Sequence, residues 1–336
     1  MISERELISK IRQAAGSNTR LIKGIGDDCA VLTNHDAGKF SLISLDTLVE
    51  GVHFDLAWHS PEDLGHKAAA VNISDIAAMG GKPTFALLSI AAPATTRPAW
   101  LDKFMSGFMA ELAKYQITLV GGDTVASREE LYFSVTILGE AVSEQVLYRS
   151  GASAGDVVMV SGFLGDAALG LEICRHTRSE FRDTWPALAA AHLTPVPETA
   201  LGQLLAGSGM VTAMLDMSDG LATDLAHLCE ASGLGAEVDG AAIPLSAAAC
   251  QAAEAMKLDV LRVAVTGGED YRLLFTCAAR HEEYLRKIVR DALGRQLFQI
   301  GKMVPGSGVH LYVKGKMSNI DFQGYDAFGV TTLKKC

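Results

Sequence analysis

Five short acidic segments follow apolar, strand-like runs: Gly26-Asp27-Asp28, Ser44-Leu45-Asp46, Gly121-Gly122-Asp123, Asp216-Met217-Ser218-Asp219-Gly220 and Gly267-Gly268-Glu269-Asp270. A sixth acid, Asp75, sits inside a helical stretch. Carboxylates placed where strands end converge on one edge of a sheet, and two of them at ~4 Å repel by about 4 kcal/mol at an effective dielectric of ~20. Such a cluster persists when a cation neutralises it, and ligands that are all oxygen select magnesium or another hard cation. The glycines let backbone approach a phosphate closely. The pattern is suited to holding metal-bound phosphates.

Asp75 is the most telling position. At 100° per residue Leu64, Ala68, Val71 and Met79 share a helical face, and Asp75 falls in the middle of it. A lone carboxylate in an apolar stripe is costly unless paired or metal-bound. Lys67, the nearest base on that helix, is about 12 Å away at ~1.5 Å per residue, so metal is the favoured partner. Asp27 and Asp28 directly precede an apolar run, Asp46 closes a strand, and Asp123 follows two glycines. Asp216, Ser218 and Asp219 precede a helix over 221–231, whose first N–H groups suit phosphate; capping that helix is the plainer role for Ser218 or Asp219. Arg149 could reach a nucleotide phosphate bidentately, and His53 could meet an anionic substrate. No P-loop, dinucleotide fingerprint, nucleophile elbow or protein-kinase motif is present, so any ATP is handled by metals and glycine turns.

The elements that must position these residues follow from patterning. A length of 336 residues suggests two domains, and 49% hydrophobic with 20% charged residues describes a soluble globular protein. Net charge is −10, which argues against nucleic acid and anionic membranes as partners. The six cysteines show no metal-site spacing and read as reduced, mostly buried residues; Cys29 leads into an apolar run and reads as core. No secretory signal or membrane-length apolar run is visible, so a cytoplasmic location is expected. Ser3 and Glu6 predict a capping box, and Ser60-Pro61-Glu62-Asp63 predicts a helix start running to Met79. Strands are predicted over 40–45, 85–91, 117–120 and 131–138, and a helix over 98–115. Strands over 157–160, 211–215, 236–238, 263–265, 273–276, 298–300 and 309–313 alternate with helices in the second half. The small, Gly-flanked stretch 150–155 marks the boundary between an N-terminal domain, 1–148, and a C-terminal domain, 149–336.

The segments Gly24-Ile25-Gly26-Asp27-Asp28-Cys29-Ala30, 46–54 and 67–80 resemble the thiamine-monophosphate kinase family. So do Gly121-Gly122-Asp123-Thr124, Arg149-Ser150-Gly151-Ala152, Asp216-Met217-Ser218-Asp219-Gly220-Leu221 and Gly267-Gly268-Glu269-Asp270-Tyr271, in the right order across nearly the whole chain. The resemblance implies the two-domain α/β (α+β) fold of the aminoimidazole ribonucleotide synthetase superfamily, with the N-terminal domain forming a homodimer. It implies transfer of the ATP γ-phosphoryl group to thiamine monophosphate, the last step in making thiamine diphosphate, assisted by several magnesium ions. It implies Asp28, Ser44, Asp46, Asp75, Asp123, Asp216 and Asp219 as magnesium ligands. Gly122, Asp123, Arg149 and Ser218 would touch ATP, and His53, Glu269 and Phe322 the thiamine phosphate. Leu45 stands where many relatives carry Thr, losing any side-chain oxygen there. Phe322, with Tyr325 following, stands where relatives often carry Trp.

Other members of the superfamily set the alternatives. A selenophosphate synthetase would carry a reactive Cys near the N-terminus, and residues 1–23 contain none. A nucleotide-binding maturation scaffold would favour a C-terminal Cys tail; Cys336 ends this chain without an obvious motif around it.

Overall fold

The computed structural model describes residues 3–176, 180–325 and 327. Its first half is a six-stranded sheet built from β1 (Leu21–Lys23), β2 (Ala30–Thr33), β3 (Lys39–Val49), β4 (Lys82–Pro93), β5 (Thr118–Ser127) and β6 (Tyr132–Val142), in the order β1-β2-β3-β6-β4-β5. Along β6 burial alternates, with Phe133, Val135 and Ile137 turned inward. That is the period-2 signature of a sheet covered on one face. The cover is α2 (Pro61–Ala78) and α3 (Pro98–Lys114), while α1 (Glu4–Ala14) carries no buried residue and starts at the expected Ser3–Glu6 capping box. On the other face Leu45, Phe85, Leu87 and Val125 stand exposed.

Helix α2 starts where expected, with the Ser60 side chain accepting from Asp63 N and Pro61 at the first position. Instead of one apolar stripe it is buried on nearly all sides. It contacts β3 and β6 on one flank and β8 (Val211–Asp216) and α7 (Thr199–Ser208) of the second half on the other. Gly65 permits its close crossing with α3, since a Cβ there would lie 2.1 Å from the Phe104 carbonyl oxygen. Asp75 is therefore held at the seam between the two halves.

The second half is a seven-stranded sheet of β7 (Val157–Val160), β8, β9 (Gly235–Asp239), β10 (Leu273–Cys277), β11 (Phe298–Val304), β12 (Gly308–Val313) and β13 (Lys316–Asn319), ordered β13-β12-β9-β11-β7-β10-β8. Central strand β7 is apolar throughout: Val158 and Val160 enter one core, Val157 and Met159 another, so both faces of the sheet are covered. The helices are α4 (Asp166–Arg175), α5 (Glu180–Thr184), α6 (Pro186–Leu193), α7, α8 (Leu221–Ser232), α9 (Ala247–Met256), α10 (Val260–Thr266) and α11 (Glu282–Leu293).

Three expectations are corrected. The run Val263-Ala264-Val265 is helical, because Asp259 caps it by accepting from Leu261 N and Arg262 N; β1, β2 and β13 were not anticipated. Strand β3 does not end at Asp46 but continues to Val49, and β5 runs through Gly121-Gly122-Asp123. These two acids sit within strands, so the face each occupies is set by register and not by a turn. Cys29, Cys174, Cys229 and Cys277 are buried thiols and Cys250 is exposed; Cys336 lies outside the described residues.

Candidate active site

Four acids from four elements meet at the seam. Asp28 comes from the turn before β2, Asp46 from β3, Asp75 from α2 and Asp216 from the end of β8. One carboxylate oxygen from each of Asp28, Asp75 and Asp216 lies within 4.8 Å of the others. Burial raises the Asp75 pKa well above the usual carboxylate range, and Asp46, Asp216 and Asp28 raise it further. Asp216 is likewise raised by burial and by Asp46, against hydrogen bonding from Ser74 and the charge of Arg149. Asp46, whose backbone N–H donates to Asn72 Oδ1 at 2.8 Å, remains open to solvent on β3 yet is raised by the protein around it and then by Asp28. Ser44, on the same face of β3 as Asp46, donates its hydroxyl to Asp75, and Ser74 donates to Asp216. Leu45 points to the opposite face, away from Asp75.

This donor set fits a hard cation. It is all oxygen, it is mutually repulsive without a counter-charge, and Asp28 Oδ2 is buried with no hydrogen-bond partner among the described residues. Two of the acids have basic neighbours. Arg149 grips Asp28, with Nη2 and Nε at 2.5 and 2.9 Å from Oδ1, and Lys23 lies 3.1 Å from Asp27. Arg149 thus borders the cluster with part of its donor fork already engaged. Burial still raises Asp28; Arg149 pulls it back, and Asp216 and Asp27 add to the rise.

The loop after β8 forms the next wall. Asp219 N and Gly220 N donate to Asp224 Oδ2, at 3.2 and 2.9 Å, and the Ser218 carbonyl accepts from Glu269 N at 2.8 Å. Asp224 is a buried acid on α8 that sequence reading missed, since a carboxylate early in a helix reads as ordinary N-terminal charge. Phe322 stacks under the Arg5 guanidinium, 3.5 Å from the ring centroid, and meets His227 edge-on at 5.2 Å. Tyr325 N donates to the Asp219 carbonyl at 3.0 Å, tying the C-terminal segment to this loop.

Across the seam Glu269 is paired. Lys67 Nζ lies 2.7 Å from Oε1 and His192 Nδ1 lies 2.8 Å from Oε2. Although burial pushes Glu269 upward, Lys67 and then His192 hold its carboxyl well below the ordinary range. His53 Nδ1 accepts from Val49 N at 3.1 Å; burial lowers its pKa, with Glu269 and Lys67 the charges it feels most. Glu269 and Tyr271 hold φ of 69° and 48°, left-handed values that non-glycine residues adopt at some cost. Tyr271 packs into the core of the first half, where burial and then Glu269, Asp46 and Asp216 push its phenol up. Lys67, His192 and Tyr271 were not identified from sequence as site residues: their partners lie far away in the chain, and no local pattern signals them.

Asp123 is not brought into the cluster. Asp46, Val135, Leu88 and Gly122 pair across β3, β6, β4 and β5, so Gly122 lies three strand spacings from Asp46, ~14 Å at ~4.8 Å each. Asp123 belongs to the adjoining row with Ser89, Ser134 and Thr47, on the face away from α2. Gly121, Gly122 and Asp123 instead line a separate cleft of about 390 Å³ with Leu88, Ile90, Met105 and Leu119.

Comparison with known proteins locates this architecture. Residues 26–141 match the AIR synthase related protein N-terminal domain, and residues 153–314 the AIR synthase related protein C-terminal domain. The chain is 39% identical over 307 residues to thiamine-monophosphate kinase of Salmonella typhimurium strain LT2, covering 91% of each chain. The solved structure of AaThiL complexed with AMPPCP and TMP is similar with a TM-score of 0.85 and 33% identity, covering 97% of each chain. Thiamine-monophosphate kinase from Stenotrophomonas maltophilia K279a gives 0.75 and 34% over 93% of this chain and 96% of that one.

Proposed function

The chain belongs to the thiamine-monophosphate kinase family of AIR synthase related proteins, and from that premise we propose how its seam carries out phosphoryl transfer. The enzyme uses ATP to phosphorylate thiamine monophosphate (TMP), giving thiamine diphosphate and ADP. AaThiL, its structural relative, was captured with TMP and with AMPPCP, an ATP analogue.

Donor and acceptor are both anions, so their mutual repulsion is the main barrier. We assign Asp28, Asp46, Asp75, Asp216 and the Ser44 hydroxyl as ligands of several magnesium ions, with Asp219 at the border. Bound there, magnesium would neutralise phosphate charge and align the two phosphates for in-line attack. An acceptor phosphate oxygen then attacks the γ-phosphorus as the bond to the β-phosphate oxygen breaks and ADP leaves. The acceptor is already ionised near neutral pH, so no strong general base is needed. Arg149 and Ser218 border the donor phosphates in this reading, and His53, Glu269 and Phe322 the acceptor. The observation that carries it is the convergence of Asp28, Asp75 and Asp216 within 4.8 Å.

Asp123 and Gly122 enter through a second copy. The face of the first sheet bearing Leu45, Phe85, Leu87 and Val125 is apolar and exposed, and β5 is a free edge. A homodimer formed there would cover that face and bring Asp123 towards a partner's site. We retain the division into 1–148 and 149–336, and a cytoplasmic location for this last step of thiamine diphosphate synthesis. Among the described residues no helix is long and apolar enough to cross a membrane.

The test is product formation from ATP and magnesium with TMP or thiamine as acceptor. Thiamine diphosphate should form from TMP alone; equal turnover of unphosphorylated thiamine would contradict a site built to join two phosphates.

A further inference from the structure

Lys67 and His192 close on Glu269 from inside the protein, and neither has a role in the transfer step above. Lys67 has 0% of its surface exposed and His192 2%, and they come from different elements, α2 and α6. Each engages one oxygen of the Glu269 carboxylate, which keeps 25% of its side-chain surface exposed. Burial and then Lys67 lower the His192 pKa, against the pull of Glu269.

A buried ammonium is rare and costs several kcal/mol. Apolar packing anchors a loop at lower cost. What these contacts add is direction, since an ammonium and an imidazole set against separate oxygens, at 2.7 and 2.8 Å, orient the carboxylate. The backbone agrees: Glu269 and Tyr271 both hold left-handed φ values, which persist when the surroundings over-determine them. His53, on the acceptor side, stands in the field of both Glu269 and Lys67.

We infer that Lys67 and His192 are positioning residues for acceptor binding, holding the Glu269 carboxylate so that its exposed edge meets the cationic heteroaromatic part of TMP. This rests on the acceptor-side reading of Glu269. The alternative is a clamp that only staples α2 to the second half.

The experiment is steady-state kinetics with TMP varied at saturating ATP and the reverse, with a melting temperature for each variant. Lys67→Met should raise the KM for TMP about tenfold, as for loss of one close ion pair in a buried setting, and leave the KM for ATP within about twofold. Lys67→Arg should recover part of the loss, and His192→Asn should move the same constant in the same direction. A lowered melting temperature with wild-type KM for TMP would make the cluster a clamp and overturn the inference. If Lys67→Met does not fold, Lys67→Arg and His192→Asn decide, and a wild-type KM for TMP in both overturns it. Glu269→Gln separates the two levels. A wild-type KM there removes the acceptor-side reading and the inference with it; a raised KM with Lys67→Met unchanged removes the positioning role alone.

Discussion

Helix α2 carries a buried lysine, Lys67, and a half-buried acid, Asp75, eight residues apart and about 12 Å along its axis, in opposite settings. Asp75 faces Asp28, Asp46 and Asp216, and the Ser44 hydroxyl is its hydrogen-bond support. Lys67 faces Glu269 and is neutralised within the protein. At the Asp75 end four acids share a single close base, Arg149 on Asp28, whereas the Lys67 end pairs its charge with Glu269 one to one. That contrast, an ion pair at one end of the helix and an excess of acids at the other, is what the proposed cation site rests on.

The sharpest break of that comparison is functional. Asp46→Asn removes a charge from the anionic end with little change in volume, and we expect kcat to fall at least about 100-fold, equivalent to about 2.7 kcal/mol, with circular dichroism unchanged. Glu269→Gln, at the compensated end, should act mainly on the KM for TMP. Near-normal rates for Asp46→Asn at low magnesium would remove Asp46 from the ligand set.

Stability sharpens the same contrast with a smaller effect. In chelator Asp75→Asn should raise the melting temperature, or at least not lower it, because the native charge is a liability without metal. The same change should shrink the rise of several degrees gained from magnesium-ATP, since ligands stabilise by binding the native state. Lys67→Met should do the reverse, lowering the melting temperature in chelator because it strands Glu269, and keeping the magnesium-ATP shift.

The smallest effect is on pH. In the metal-free protein the folded pKa of Asp216 is pushed up to about 6 and that of Asp28 to about 7, above an unfolded value near ~4. Between those limits the folded state binds more protons than the unfolded one, so stability falls as pH rises from ~4 through about 7. Melting curves in chelator should show this decline, and saturating magnesium should flatten it. An equally steep decline with magnesium present would detach the titration from the metal site.

Much of the anionic end was legible in the sequence. Asp28, Asp46, Asp75 and Asp216 each carry a local signature of glycine, strand or helix, and the fold brings them together. The two sheets and α2 with its Ser60 cap were legible for the same reason: periodicity and capping are local. The compensated end was not, because Lys67 and Glu269 are brought together only by packing of α2 against the second half. Asp123 shows the remaining limit. Its glycines mark it clearly, but its face depends on strand register, which no motif encodes. The run 263–265 failed differently: β-branched residues suggested a strand, and a capping aspartate four residues upstream decided for helix.

The most direct test of the anionic end counts cations. Manganese, a magnesium substitute visible by electron paramagnetic resonance, can be titrated into the wild type and Asp75→Asn with AMPPCP present. Several bound ions per subunit are expected in the wild type and at least one fewer in the variant; equal stoichiometry and affinity in the two proteins would contradict a cation site at Asp75.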